Sequence, residues 1–192
     1  MITVIDCGSS KTPFIESCVD EFEDVQVVGM YDFDYSSFSS AQGFIISGAP
    51  ILITEKDPAP YLALFSWLKV TDKPVLGICF GHQILGLTYG ALASRIREDR
   101  DWQTVEVLGD CALFDKLPSE IELMEDHCEA ISIPANFIHV AVSDACVNEA
   151  MMHQTKSLYG VQFHPEVSGN HGRVIIENFV HICQQHARLN HE

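Results

Sequence analysis

Two short stretches carry residue types that do chemistry. The first, PVLGICFGHQILGLTYGA (Pro74 to Ala91), sets Cys79 between Gly77 and Gly81, at the end of an apolar run and ahead of an amphipathic segment. Flanking glycines permit a tight strand-to-helix turn, so the thiol projects from the carboxyl edge of a sheet beside a helix N-terminus, where the thiolate is favoured. The next backbone N–H, from Phe80, is then positioned to meet a developing oxyanion. A structural cysteine buried at a βα corner is the competing reading, because cysteine is among the most buried residue types.

The second stretch, YGVQFHPEV (Tyr159 to Val167), runs an apolar strand into His164-Pro165-Glu166. A cysteine nucleophile needs a base to take its proton and return it to a leaving amine, and the base needs a third group to set its tautomer. Proline between the histidine and the glutamate stiffens the segment and holds both side chains on one side of it. Each motif is weak alone; together they point to amide chemistry at a thiol. His82, beside Gly81, reads as a packing or locally hydrogen-bonded histidine, and Cys128 as incidental.

Elements that could position these groups follow from hydrophobic periodicity. ITVID (Ile2 to Asp6), VQVVGMY (Val25 to Tyr31), GFIIS (Gly43 to Ser47) and the wholly apolar PVLGI (Pro74 to Ile78) read as strands, the last of them central. Helices are expected over Thr12 to Phe22 and over Pro58 to Lys69, the α/β alternation of a mostly parallel sheet. From Thr104 to Val161 short runs (TVEVLG, IELM, FIHVAV, NEAMMH, LYGVQF) suggest antiparallel strands, and a closing helix spans about His171 to His186. IREDRDW (Ile96 to Trp102) reads as a solvated turn between hairpins, or as a contact for another chain. With no repeat or linker, residues 1–192 form one expected domain.

Composition removes several functional classes. The 27 acidic residues against 11 basic ones give a net charge of −16, which disfavours binding to nucleic-acid phosphates. The seven cysteines show no CxxC pair and no Cys/His cluster at zinc spacing, so neither a disulfide framework nor a metal site is expected. No apolar run is long enough to span a membrane, and MITVIDCGSS lacks the features of a signal peptide. Free thiols then suit a reducing cytoplasm.

PVLGICFGHQ and YGVQFHPEV, in this order, resemble the class I (triad) glutamine amidotransferases, and VIDCGSS, FIISGAP and VIIENFVHIC extend the resemblance over nearly the whole chain. Within that family LFDKLPSEIEL, DHCEAISIP and LYGVQFHPEV are most similar to the glutaminase components of GMP synthetases. The resemblance implies a flavodoxin-like α/β fold, with a mostly parallel central sheet flanked by helices and an added antiparallel region. It also implies Cys79 as nucleophile, His164 as general acid/base and Glu166 as its orienting group. Backbone N–H groups of Ala49 and Phe80 would form the oxyanion hole, and Gln83 and His127 would hold the substrate glutamine. Ala49, in SGAP, stands where the family has glycine, a strained position if its φ is positive. No cofactor is implied. The partner implied is a separate ATP-dependent synthetase subunit, because nothing here resembles a phosphate loop. Two alternatives stay open: a free-standing γ-glutamyl amide or peptide hydrolase, and a non-catalytic regulatory module of the same fold.

Overall fold

A computed structural model describes residues 1–189. The apolar runs near the N-terminus form β1 (Ile2–Asp6), β2 (Val25–Gly29), β3 (Gly43–Ile46) and β4 (Val75–Ile78). Their crossovers carry α1 (Thr12–Asp20) and α2 (Ala59–Leu64), both with proline in the first turn, where its missing N–H is harmless. After β4 comes α3 (Phe80–Thr88), and the chain then turns to β5 (Ala93–Asp99), β6 (Trp102–Val107), β7 (Glu120–Met124), β8 (His127–Ile131), β9 (Phe137–Val142), β10 (Ala150–His153) and β11 (Leu158–Val161). The last element is α4 (Gly169–Leu189).

One sheet contains nine of the strands, in the order β2-β1-β3-β4-β11-β10-β9-β6-β7. From β2 to β11 every neighbouring pair is parallel; from β11 to β7 every pair is antiparallel. The first half therefore has the 2-1-3-4 order of flavodoxin-like sheets, but its fifth strand comes from the end of the chain. β3 and β4 are buried along their whole length, as the unbroken apolar sequence of β4 requires of a central strand. One core packs Ile15 and Val19 of α1 with Ile176 and Phe179 of α4, and the other packs Ile84 and Leu85 of α3 with Phe65 and Leu68.

Two expectations are corrected. The helix expected over Pro58 to Lys69 breaks at Phe65, which leaves helical geometry (φ −98°, ψ 13°) before a 3-10 turn over Ser66–Lys69. Phe65, Trp67 and Leu68 are all buried, and no single face of a continuous α-helix holds all three. Trp67 enters an aromatic cluster with Phe33, Tyr35 and Phe44. The second correction concerns IREDRDW: β5 runs through Asp99, and only Arg100 and Asp101 turn the chain into β6. β5 pairs with β8, a strand the sequence did not signal, in a separate antiparallel ribbon whose register breaks between Arg95 and Asp99.

The glycines around Cys79 are dictated by close approach. A Cβ on Gly77 would lie 2.5 Å from the backbone of Gly81, and one on Gly81 would lie 2.4 Å from the Ile46 carbonyl oxygen. Gly77→Ala is expected to destabilise the protein by about 3 kcal/mol through overpacking. Gly109→Ala, where an added Cβ meets nothing within 4 Å, should change stability by less than about 1 kcal/mol. Urea denaturation of both variants checks the contrast.

Candidate active site

Four loops meet at the carboxyl ends of β1, β3, β4 and β11, the crevice where ligands settle in open α/β sheets. They line a cleft of ≈ 480 Å³ whose wall includes Gly8, Ala49, Cys79, Gln83, His127 and His164. Cys79 links β4 to α3 with φ 51° and ψ −104°, a left-handed conformation that a side-chain-bearing residue seldom adopts. Its N–H donates to the Val161 carbonyl of β11 and its carbonyl accepts from the Gln83 N–H, so the strained corner is tied to both neighbouring elements.

β11 runs parallel to β4 with Val161 opposite Ile78, so both strands end at the same edge. Three residues beyond β11, His164 hydrogen-bonds with Glu166 Oε1 through Nδ1 at 2.7 Å, on the 3-10 turn Pro165–Val167. The carboxylate accepts, so Nδ1 carries the proton, and Cys79, on the wall of the same cleft, is the other group that acts on the imidazole. The loop is clamped: His164 N–H donates to the Met124 carbonyl, and Ser168 Oγ donates to the His164 carbonyl at 2.6 Å. Burial disfavours a charged imidazole, but the Cys79 and Glu166 partners outweigh it and lift the His164 pKa to about 10. A thiol, an imidazole and a carboxylate thus share one part of the cleft, the set of groups that covalent amide hydrolysis uses.

The other expected residues fall into two groups. Ala49, Gln83 and His127 all line the cleft. Ala49 is not among the residues with positive φ, so the strain anticipated for alanine in SGAP does not arise. The glycine the turn needs is Gly48, where a Cβ would meet the His164 ring at 3.2 Å. Phe80 opens α3; its ring is buried against Tyr61, and its N–H belongs to the first turn, where no intrahelical acceptor exists. Gln83 Nε2 donates to Gln162 Oε1 at 3.1 Å and to the Glu129 carbonyl at 3.3 Å, so this amide also braces the cleft wall. His82 does not reach the cleft. It is fully buried beneath Gly160, and burial, with the nearby His127, holds its pKa down to about 3.

Sequence reasoning passed over several cleft residues. Asp126 joins the wall and pairs with Lys11 and Arg100, so the mouth holds both cations and an anion. Lys11 directly follows VIDCGSS, and Arg100 lies in IREDRDW, so both motifs contained the signal. Glu129 is buried yet satisfied, accepting from Ile53 N–H at 2.7 Å and from Thr54 N–H and hydroxyl, which anchors the loop after SGAP to β8. Beside it, burial pushes the Glu125 carboxyl up to about 8 and the Glu149 carboxyl up to about 9.

Comparison with known proteins bears on these residues. The family model described as glutamine amidotransferase class-I matches residues 3–183. The chain is 38% identical over 147 residues, 75% of each chain, to a protein of Methanosarcina barkeri named as one subunit of glutamine-hydrolyzing GMP synthase. A protein of the same name from Methanocaldococcus jannaschii is 37% identical over 153 residues, 78% of each chain. Among solved structures, one from Thermoplasma acidophilum, provisionally described as the same GMP synthase subunit, superposes with a TM-score of 0.91 at 31% identity, covering 100% of this chain and 97% of that one. A glutamine amidotransferase from Thermotoga maritima shares the fold, with a TM-score of 0.74 at 19% identity over 96% of this chain and 84% of that one.

Because the folded His164 pKa lies above the unfolded value of 6.5, its pairing stabilises the protein fully below that value and less as pH rises through the folded one. Glu166→Gln removes the charge but keeps the shape. It is expected to lower the His164 pKa and to remove stability over that same pH window. Titration of the ring protons by NMR reads the first effect, and denaturation at several pH values reads the second.

Proposed function

Because the chain belongs to the class-I glutamine amidotransferases, we propose that it hydrolyses glutamine to glutamate and ammonia through a thioester on Cys79. The observation that carries this reading is the strained Cys79 corner facing the buried His164–Glu166 pair inside the cleft. His164 takes the thiol proton, and the sulfur attacks the side-chain amide carbon of glutamine. The Phe80 and Ala49 N–H groups receive the developing oxyanion, as befits their places beside Cys79 and on the cleft wall. The tetrahedral intermediate collapses as His164 returns the proton to nitrogen and ammonia leaves. Water, deprotonated by His164, then attacks the γ-glutamyl thioester and releases glutamate. Glu166 holds the ring in the required tautomer throughout.

No organic cofactor or metal is assigned a step in this half reaction, because the covalent intermediate divides amide hydrolysis into two accessible steps. Gln83 and His127, both on the cleft wall, are the side chains proposed to border the glutamine substrate. The names of the relatives support a further step: ammonia passes to a separate ATP-dependent synthetase subunit that aminates a nucleotide. Among the described residues no helix is long and apolar enough to cross a membrane, and seven free cysteines suit a reducing cytoplasm.

Glutamate release from glutamine by the purified chain tests the reading. Cys79→Ala should abolish it, and His164→Ala should lower kcat by roughly 10²–10⁴-fold. An ATP-pyrophosphatase subunit of a GMP synthase, added in trans, is expected to raise the rate. Undiminished turnover in Cys79→Ala would end the proposal, whereas cleavage of γ-glutamyl peptides with indifference to glutamine would replace the substrate.

A further inference from the structure

Against the cleft wall lies a second set of reactive side chains that amide hydrolysis does not use. His127, Cys146 and Glu149 are all buried, and one donor atom from each lies within 4.8 Å of the others. Glu125 joins them, with Oε2 3.1 Å from His127 Nε2. The four converge from the start of β8 and from the connection between β9 and β10, so no sequence spacing announces them.

Hydrogen positions follow from the partners. His127 Nδ1 lies 3.0 Å from the Glu129 carbonyl oxygen, which only accepts, so Nδ1 carries the hydrogen. In the neutral ring Nε2 is then a bare lone pair. It faces Glu125 Oε2 without a hydrogen bond, and both Glu125 oxygens and Glu149 Oε2 likewise lack a hydrogen-bond partner among the described residues. Glu125 and Glu149 are at most 1% exposed. Neither forms an ion pair with lysine or arginine among the described residues. A nitrogen lone pair set against a carboxylate at this distance is repulsive, and buried carboxylates without a countercharge are costly. One cation at the common centre removes both penalties. A proton shared between Glu125 and Glu149, which lie within hydrogen-bonding reach of each other once one is protonated, is the rival solution.

We propose that His127 Nε2, Cys146 Sγ, Glu149 Oε2 and a Glu125 oxygen form a binding site for a divalent transition-metal ion, zinc by the chemistry of its donors. Imidazole, thiolate and carboxylate together match zinc and do not suit magnesium or calcium, which take oxygen ligands. Ligand atoms around tetrahedral zinc lie roughly 3.2–3.8 Å apart, so the His127–Glu125 pair is near its bonded separation and the wider donors close in by about 1 Å. The outer partners are those metal ligands use. Nδ1–H of His127 is held by a backbone carbonyl, and Glu149 Oε1 accepts from Ser143 Oγ at 2.6 Å. Ser143 Oγ also accepts the Cys146 N–H at 3.0 Å, which fixes the thiol's loop. On binding, the Cys146 thiol proton leaves to solvent and the thiolate, imidazole and carboxylate lone pairs bond the ion. The ion ties β8 to the loop before β10 and holds the His127 ring at the cleft wall.

The test uses metal-free protein carrying Cys79→Ala, which removes the thiol beside His164 from competition, and Cys146→Ser separates Cys146 from the remaining cysteines. Titration with cobalt(II) should give one ion per chain, the intense visible bands of tetrahedral cobalt and a thiolate-to-cobalt charge-transfer band, all displaced by zinc. Zinc should also raise Tm. Cys146→Ser is expected to delete the charge-transfer band. Glu149→Gln keeps the shape of a protonated carboxyl, so the fold survives it, and it should weaken binding by more than the roughly 10–100-fold that loss of an outer partner costs. No uptake, or uptake indifferent to both substitutions, overturns the site and leaves the shared proton in its place.

Discussion

Where β4 hands the chain to α3, the backbone of Gly77 lies against that of Gly81, and Gly81 lies against the Ile46 carbonyl of β3, at separations that exclude any side chain. This contact forces the turn at Cys79 into the left-handed region, and the cost of that conformation is offset by the buried surface of α3 packed on the sheet. The strain is therefore held by the core and expressed at one thiol. Loosening the helix by even a methyl group moves the Cys79 thiol, the first N–H groups of α3 and the amide of Gln83 together.

His164 arrives by a different route. β11 has a parallel neighbour on one side and an antiparallel one on the other, since it pairs with β4 and with β10. The parallel pairing brings Val161 level with Ile78, so Cys79 and His164 leave adjacent strands at the same edge. At that edge Met124, the last residue of β7, accepts the His164 N–H and donates its own N–H to Ser168 Oγ, which in turn donates to the His164 carbonyl. The added antiparallel region thus supplies the outer wall of the cleft as well as the clamp on His164.

Buried acidic groups divide according to their partners. Glu129 is satisfied by two backbone N–H groups and a hydroxyl, whereas Glu166 is held through Oε1 by an imidazole that charges readily, its Oε2 having no hydrogen-bond partner among the described residues. Glu125 and Glu149 lie within hydrogen-bonding reach of each other beside His127, and burial moves both carboxyls far above their ordinary range. The same physics that secures the His164–Glu166 pair makes the neighbouring cluster demand a proton or a cation. Both lie along one wall, so whatever fills the second governs how firmly His127 borders the first.

The sequence by itself determined the parts whose cause is local. Gly77, Cys79 and Gly81 sit within five residues and specify a backbone corner; His164, Pro165 and Glu166 are consecutive and specify a histidine paired with a carboxylate; the apolar run of β4 specifies a central strand. Tertiary structure decided what depends on residues far apart. The helix around Phe65 breaks because Trp67 finds aromatic partners from β3 and from the loop before it, and a period of 3.6 cannot express that demand. β5 is charged on both faces and carries no alternation, so only its ladder with β8 makes it a strand. Lys11, Arg100 and Asp126 at the mouth, and His127 with Cys146 and Glu149 behind the wall, meet because strands distant in the chain pair side by side. Backbone geometry and neighbour chemistry are written along the chain, but a cleft is made of surfaces, and surfaces exist only once the sheet has closed its order.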